Sequence, residues 1–181
     1  MARIKQILDK SDLPAEYQPV FERVTQSRPH GGGPFSILFH SPNIADKVDA
    51  LAASLRGDSE LSPAQFVTAV LAVARAKDCL FVWSVQAGNA RRAGLSEETI
   101  SAIRDRQMAA LDPDTAASVS DAQQISAGNR VDQATFDALE GRYGARWLVE
   151  LTALVGHFGL ICGINNAFEV APAPDGDKLP I

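Results

Sequence analysis

The middle of the chain leaves little freedom of fold. Between Phe66 and Val85 apolar residues fall on nearly every side of a helical wheel, the pattern of a helix enclosed by others rather than lying on a surface. The stretch Ala64 to Ala90 reads as one long helix opened by Ser62-Pro63, with the serine as cap and the proline in the first turn. Similar punctuation recurs on both sides. Ser41-Pro42 opens a helix whose face is Ile44, Val48, Leu51, Ala52 and Leu55, and Gly57 closes it. Gly94 is a helix-ending glycine. Ser96, followed by Glu97, Glu98 and Thr99, starts a helix carrying Ile100, Ile103, Met108 and Leu111 toward Asp112-Pro113. Thr115 to Ser126, Asp132 to Tyr143 and Arg146 to Phe168 supply three more, and Ala15 to Thr25 supplies one at the start. No stretch alternates with period two, so the expectation is an all-α, single-domain bundle of about six to eight helices.

Three segments follow from this reading. Residues 1–34 form an N-terminal helix and a Gly-rich connector (RPHGGGP), 35–170 the helical domain, and 171–181 a Pro/Gly-containing tail expected at the surface. The Gly triplet is not a phosphate cradle, because no Lys-Ser/Thr follows and Pro34 removes a donor N–H. With 17 Lys and Arg against 22 Asp and Glu the net charge is −5, and no basic run exists to displace counterions from nucleic acid. The apolar stretch Leu151 to Ile164 is shorter than the roughly 20 residues of a spanning helix. It reads as a buried helix or a subunit contact, not a membrane anchor. Two cysteines, Cys79 and Cys162, make neither a disulfide framework nor a zinc cluster. The opening residues lack the apolar core of a signal peptide, so the expected location is the cytoplasm. No metal and no cofactor is expected.

The residues able to carry chemistry are few. Cys79, Trp83 and Gln86 stand at i, i+4 and i+7, on one helical face. A single thiol in an apolar helix is commonly an inert small hydrophobe, and Trp83 reads equally as core packing. His40 stands beside Ser41-Pro42, where an anchoring role competes with a catalytic one. His157 lies between Gly156 and Phe158 in the apolar helix, where a satisfied core imidazole competes with a ligand. His30 falls in the connector. Arg75, Arg91 and Arg146 are each possible partners for a substrate carboxylate.

The segment AVARAKDCLFVWSVQAGNARRAGLSEETI resembles the core of the carboxymuconolactone decarboxylase and alkylhydroperoxidase-D-like family. That pattern runs Glu, twelve residues, Cys-x-x-Cys-x-x-x-His, then a Gly-Leu turn and an acidic helix start. Cys79 falls on the first Cys, Phe81-Val82-Trp83 on an aromatic triplet, and Gly94-Leu95-Ser96-Glu97-Glu98 on the turn. FHSPNIADKV and YGARWLVELTALVGHFGLICGINNAFEV are similar to the family's flanking helices, so the likeness spans most of residues 35 to 176. It implies an oligomeric helical subunit, a trimer or hexamer, acting on a small molecule. Three positions depart from it: Val67 replaces the Glu, Val82 the second Cys, and Gln86 the His. An amide hydrogen-bonds but does not titrate near neutrality, and a disulfide relay within this helix has no second sulfur. Cys162 would pair with Cys79 only if their Cα atoms approach within about 7 Å, which spacing does not fix.

Three functions remain in view. A cofactor-free lyase acting on a small lactone or keto acid would use Cys79, Gln86 and His40 as catalytic groups, with Trp83 and His157 against the substrate. A one-Cys, thiol-dependent hydroperoxide reductase would rest on Cys79 with an external thiol. A catalytically silent oligomeric binding protein would account for the loss of Glu, Cys and His together.

Overall fold

A computed structural model describes residues 2–26 and 32–181, and every regular element among them is helical. The helices are α1 (Gln18–Gln26), α2 (Pro34–Leu38), α3 (Pro42–Gly57), α4 (Pro63–Ala76), α5 (Leu80–Arg92), α6 (Glu97–Arg104), α7 (Pro113–Gly128) and α8 (Gln133–Ala167). Short 3-10 turns at Lys10–Asp12, Ala15–Tyr17 and Met108–Ala110 link them. Most of the Gly-rich connector, with His30, lies outside the described residues.

α4 is the axis of the molecule. Its start is a complete capping box: Ser62 Oγ accepts from the Gln65 N–H at 3.3 Å, and Gln65 Oε1 accepts from the Ser62 N–H at 2.9 Å. From there Val67 to Ala74 are buried without interruption. Helices α5, α6, α7 and α8 all pack against α4, so each side chain meets a neighbour whichever way it faces. The alanines at 69, 72 and 74 are fully buried and let those neighbours approach closely. Val70, Leu71 and Val73, also fully buried, contribute about 1.5–3 kcal/mol each through desolvation.

The single long helix expected over Ala64 to Ala90 is in fact two. α4 ends at Ala76 and α5 begins at Leu80, with Cys79 as its N-cap in extended backbone. Asp78 takes the left-handed conformation, φ 46°, which a short polar side chain tolerates. The Cys79 N–H reaches back to Ala74 O at 2.8 Å and the Asp78 N–H to Arg75 O at 3.4 Å, the two bonds of a Schellman ending. Asp78 is held there by Arg75 at 2.5 Å and Arg106 at 3.4 Å. The same ending stops α6 at Arg104 through Arg106, φ 58°, so the helix expected to run on to Leu111 is shorter. α8 carries both expected C-terminal helices as arms either side of Gly144, whose φ of 82° and ψ of 168° break the helix between them.

α8 is long and apolar enough, by length and composition alone, to cross a membrane, but half of its most apolar window is buried within the fold, against α2, α3, α4, α5 and α7. The tail does not simply lie at the surface. It returns over α5: the Ala173 N–H donates to Ser84 Oγ at 3.1 Å, Arg91 holds Asp177 at 2.7 and 2.8 Å, and Leu179 is buried.

One core group is out of place. Asp121 of α7 is fully buried, and among the described residues neither carboxylate oxygen has a hydrogen-bond partner. Burial alone pushes its pKa up to about 6. A carboxyl raised in the folded state stabilises below its unfolded value, and that contribution fades as pH rises through the folded one. The protein is therefore expected to lose about 3 kcal/mol between roughly pH 4 and pH 7 from this residue. Asp121→Asn should abolish that decline and raise the melting temperature at pH 8. Parallel urea-unfolding curves for wild type and variant across this range, with no pH-dependent gap, would contradict the assignment.

Candidate functional site

The amino end of α5 is where the fold concentrates reactivity. As N-cap, Cys79 sits where the first backbone N–H groups of a helix have no intrahelical partner. Cys79 and Cys162 are both fully buried. They are brought together by α8, whose Asn166 Nδ2 donates to Lys77 O at 2.8 Å, one helical turn beyond Cys162. Cys162 is the neighbour that acts most on the Cys79 thiol, and the backbone at Val82 and Phe81 adds to its effect. These contacts outweigh burial and hold the Cys79 pKa below the ordinary thiol value. Cys162 is driven the other way, first by Cys79 and then by burial. The two thiols are thus driven apart, Cys79 toward the thiolate and Cys162 toward the thiol.

Further along α5 lies a cleft of about 450 Å³ between α3, α4 and α5. Val67 and Gln86 both line it, so the positions of the resemblance's acid and imidazole converge on one space even though neither residue titrates here. Gln86 Oε1 accepts from Asn89 Nδ2 at 2.8 Å, and Asn89 Oδ1 in turn accepts from Arg92. That chain directs the Gln86 carboxamide, leaving its Nε2 end for a ligand. Arg56, whose guanidinium stands 6.0 Å from the centre of the Phe66 ring, completes a wall with two guanidinium groups and no carboxylate.

The other expected site residues are dispersed. His40 is exposed, and its Nε2 donates to Lys5 O at 2.8 Å, anchoring the N-terminal segment. His157 is buried in α8, edge-on to Phe158, which meets Phe66 of the cleft wall edge-on at 6.1 Å. Trp83 is enclosed in the core. None of these three lines the cleft, nor does Cys79. Arg75, Arg91 and Arg146 are engaged with Asp78, with Glu97 and Asp177, and with Glu150. The cleft's cations are instead Arg56 and Arg92. Arg92 and Asn89 stand at i+6 and i+3 from Gln86, a spacing visible in the sequence; Arg56 comes from α3, which spacing does not reveal.

The carboxymuconolactone decarboxylase family model matches residues 42–123, from the start of α3 into α7. That stretch of the chain is similar to the family. No curated protein matches the chain. Its fold is AhpD-like: an alkylhydroperoxidase AhpD core structure from Ralstonia eutropha JMP134, an uncharacterized peroxidase-related protein, superposes with a TM-score of 0.78 at 19% identity, over 96% of this chain and 95% of that one. A peroxidase-related protein from Silicibacter sp. TM1040 gives 0.77 at 16%, over 97% and 95%. The debrominase Bmp8, as a Cys-to-Ala variant in complex with 2,3,4-tribromopyrrole, gives 0.78 at 18%, over 97% and 94%.

Segments from both sides in the sequence cover α5. A Cβ on Gly33 would fall 2.4 Å from the tip of the Phe81 ring, and a Cβ on Gly176 would fall 2.6 Å from both Cβ and the carbonyl oxygen of Ser84. The second clash is with helix backbone, which cannot retreat. Gly176→Ala is thus expected to lift the tail, costing about 1–3 kcal/mol as other overpacking does and opening the tail to proteolysis. Limited proteolysis read by mass spectrometry checks this; a tail as protected as in wild type would refute the contact.

Proposed function

We propose that this protein is a thiol-dependent hydroperoxide reductase whose nucleophile is Cys79. The reading is carried by the place of Cys79 as the N-cap of α5, where its pKa is held below the ordinary thiol value. A thiolate, not a thiol, attacks peroxide, and a helix amino terminus stabilises that charge. The thiolate attacks the distal oxygen of ROOH, the O–O bond breaks, and the departing alkoxide takes a proton to leave ROH and Cys79 sulfenic acid. One external thiol condenses with the sulfenic acid, releasing water, and a second liberates Cys79 as the external disulfide forms. That supply of thiol fits the cytoplasm. Because Cys79 is wholly buried, the substrate enters when the cover over α5 moves, which favours small hydroperoxides.

The cleft favours a second reading, the cofactor-free lyase. Arg56, Arg92 and the Gln86 amide suit a small carboxylated lactone or keto acid, and charge-assisted contacts to a carboxylate are the strong ones. It lacks an acid to protonate carbon: neither His40 nor His157 lines the space. Turnover of a lactone and keto-acid panel that falls in Arg92→Ala and Gln86→Ala, with Cys79→Ser unaffected, would favour this reading. Binding without turnover would favour the silent binding protein.

Self-association with a second copy belongs to the proposal. α8 leaves Val149 67% and Leu160 43% exposed, along a line with Gly156 and Gly163, and apolar surface of that kind is ordinarily covered. Light scattering on a size-exclusion column is expected to give a trimer or hexamer; a clean monomer counts against it. For the chemistry, wild type should consume hydroperoxide stoichiometrically, and Cys79→Ser should consume none. A Cys79 inert to both hydroperoxide and alkylating agents in the folded protein would end the reading.

A further inference from the structure

We infer that Cys162 of α8 is the resolving thiol for Cys79, so that oxidation joins α5 to α8 through an intrachain disulfide. The inference rests on the peroxide chemistry proposed for Cys79 and adds the second sulfur that Val82 does not supply. Its ground is a cluster of two groups from different helices. Both thiols are free and fully buried, the Asn166 bond to Lys77 O at 2.8 Å fixes the turn of α8 beside the amino end of α5, and each thiol is the first cause of the other's shifted acidity.

Burial makes the pairing productive. A sulfenic acid open to solvent meets an external thiol or is oxidised further; one enclosed in the core meets first the thiol already beside it. In the reduced state Cys79 is the more acidic thiol of the two, so the nucleophile and its partner are already distinguished. The balance is Cys79–S⁻ + Cys162–SH + ROOH → Cys79–S–S–Cys162 + ROH + OH⁻. The O–O bond is cleaved and its two electrons come from the two sulfurs. Cys162 loses its proton to the departing oxygen and then displaces hydroxide from the sulfenic sulfur. An external dithiol restores both thiols by exchange, leaving as its own disulfide. Forming a bond of about 2.05 Å requires α5 and α8 to close slightly.

The test oxidises folded wild-type protein with one equivalent of cumene hydroperoxide or, separately, with diamide. Remaining thiols are then alkylated under denaturing conditions and peptides mapped by mass spectrometry. The expected result with both oxidants is a fall from two free cysteines to none, with a peptide pair linked through Cys79 and Cys162. Cys162→Ser should still consume hydroperoxide but stop at a Cys79 sulfenic acid trapped by a 1,3-diketone. A disulfide with diamide but not hydroperoxide upholds the pair and removes the peroxide reading. Oxidation at Cys79 with Cys162 still alkylated overturns the inference while leaving that reading intact. Two alkylated cysteines after both oxidants overturn both.

Discussion

The complete enclosure of α4 is the constraint from which the rest follows. A helix with one apolar stripe needs one partner; a helix buried from Val67 through Ala74 needs a ring of them, and α5, α6, α7 and α8 provide it. From that ring come Gln86 of α5 and Cys162 of α8. The site arises at the end of the axis, where α4 must stop so that α5 can return along it. The residue that follows the stop becomes the cap of the next helix, and here it is a cysteine. Its reactivity thus comes from the architecture: the turn that ends α4 exposes the N–H groups of α5 to a sulfur.

That turn also marks the limit of what the sequence discloses. The helical class, the capping serines at 62 and 96 and the closing Gly94 were all legible, because capping chemistry is local and needs few residue types. The ends of α4 and α6 were not. Each is a Schellman ending whose left-handed residue is Asp78 or Arg106 instead of glycine, so the usual signal is missing, and apolar spacing runs on across the first break. What pays for those strained residues is tertiary, chiefly the grip of Arg75 and Arg106 on Asp78. The site was legible in part for the same reason. Gln86 was found through helical spacing and the family resemblance, whereas Arg56 and Cys162 reach their places from other helices.

The family's pattern and this chain differ in how they divide their chemistry. In the pattern an acid, two thiols and an imidazole share one stretch. Here the acid and imidazole positions, Val67 and Gln86, wall a cleft with two guanidinium groups, while the remaining thiol lies outside that cleft in the core. A cationic, donor-rich cleft suits an anion and has no group that titrates near neutrality to move a proton. Proton movement is left to the sulfur pair, whose two thiols differ in acidity. Fold similarity alone does not choose between these two places, because neighbours of comparable overlap include both peroxidase-related proteins and a debrominase.

A sulfur pair within one helix turn and a sulfur pair between two helices differ in mechanical consequence. Within a turn the distance is fixed by the helix itself, and oxidation leaves neighbouring elements undisturbed. Between α5 and α8 the distance is set by packing, so bond formation must draw one helix against the other in a core that is close-packed and does not deform continuously. The strain would fall on what surrounds both elements: the Asn166 bond to Lys77 O, the tail laid across Ser84, and the partly exposed flank of α8. Redox state at the sulfurs is thereby coupled to the docking of the tail and to the face of α8 suited to a second copy. On the proposed pairing, chemistry and assembly would depend on the same contact.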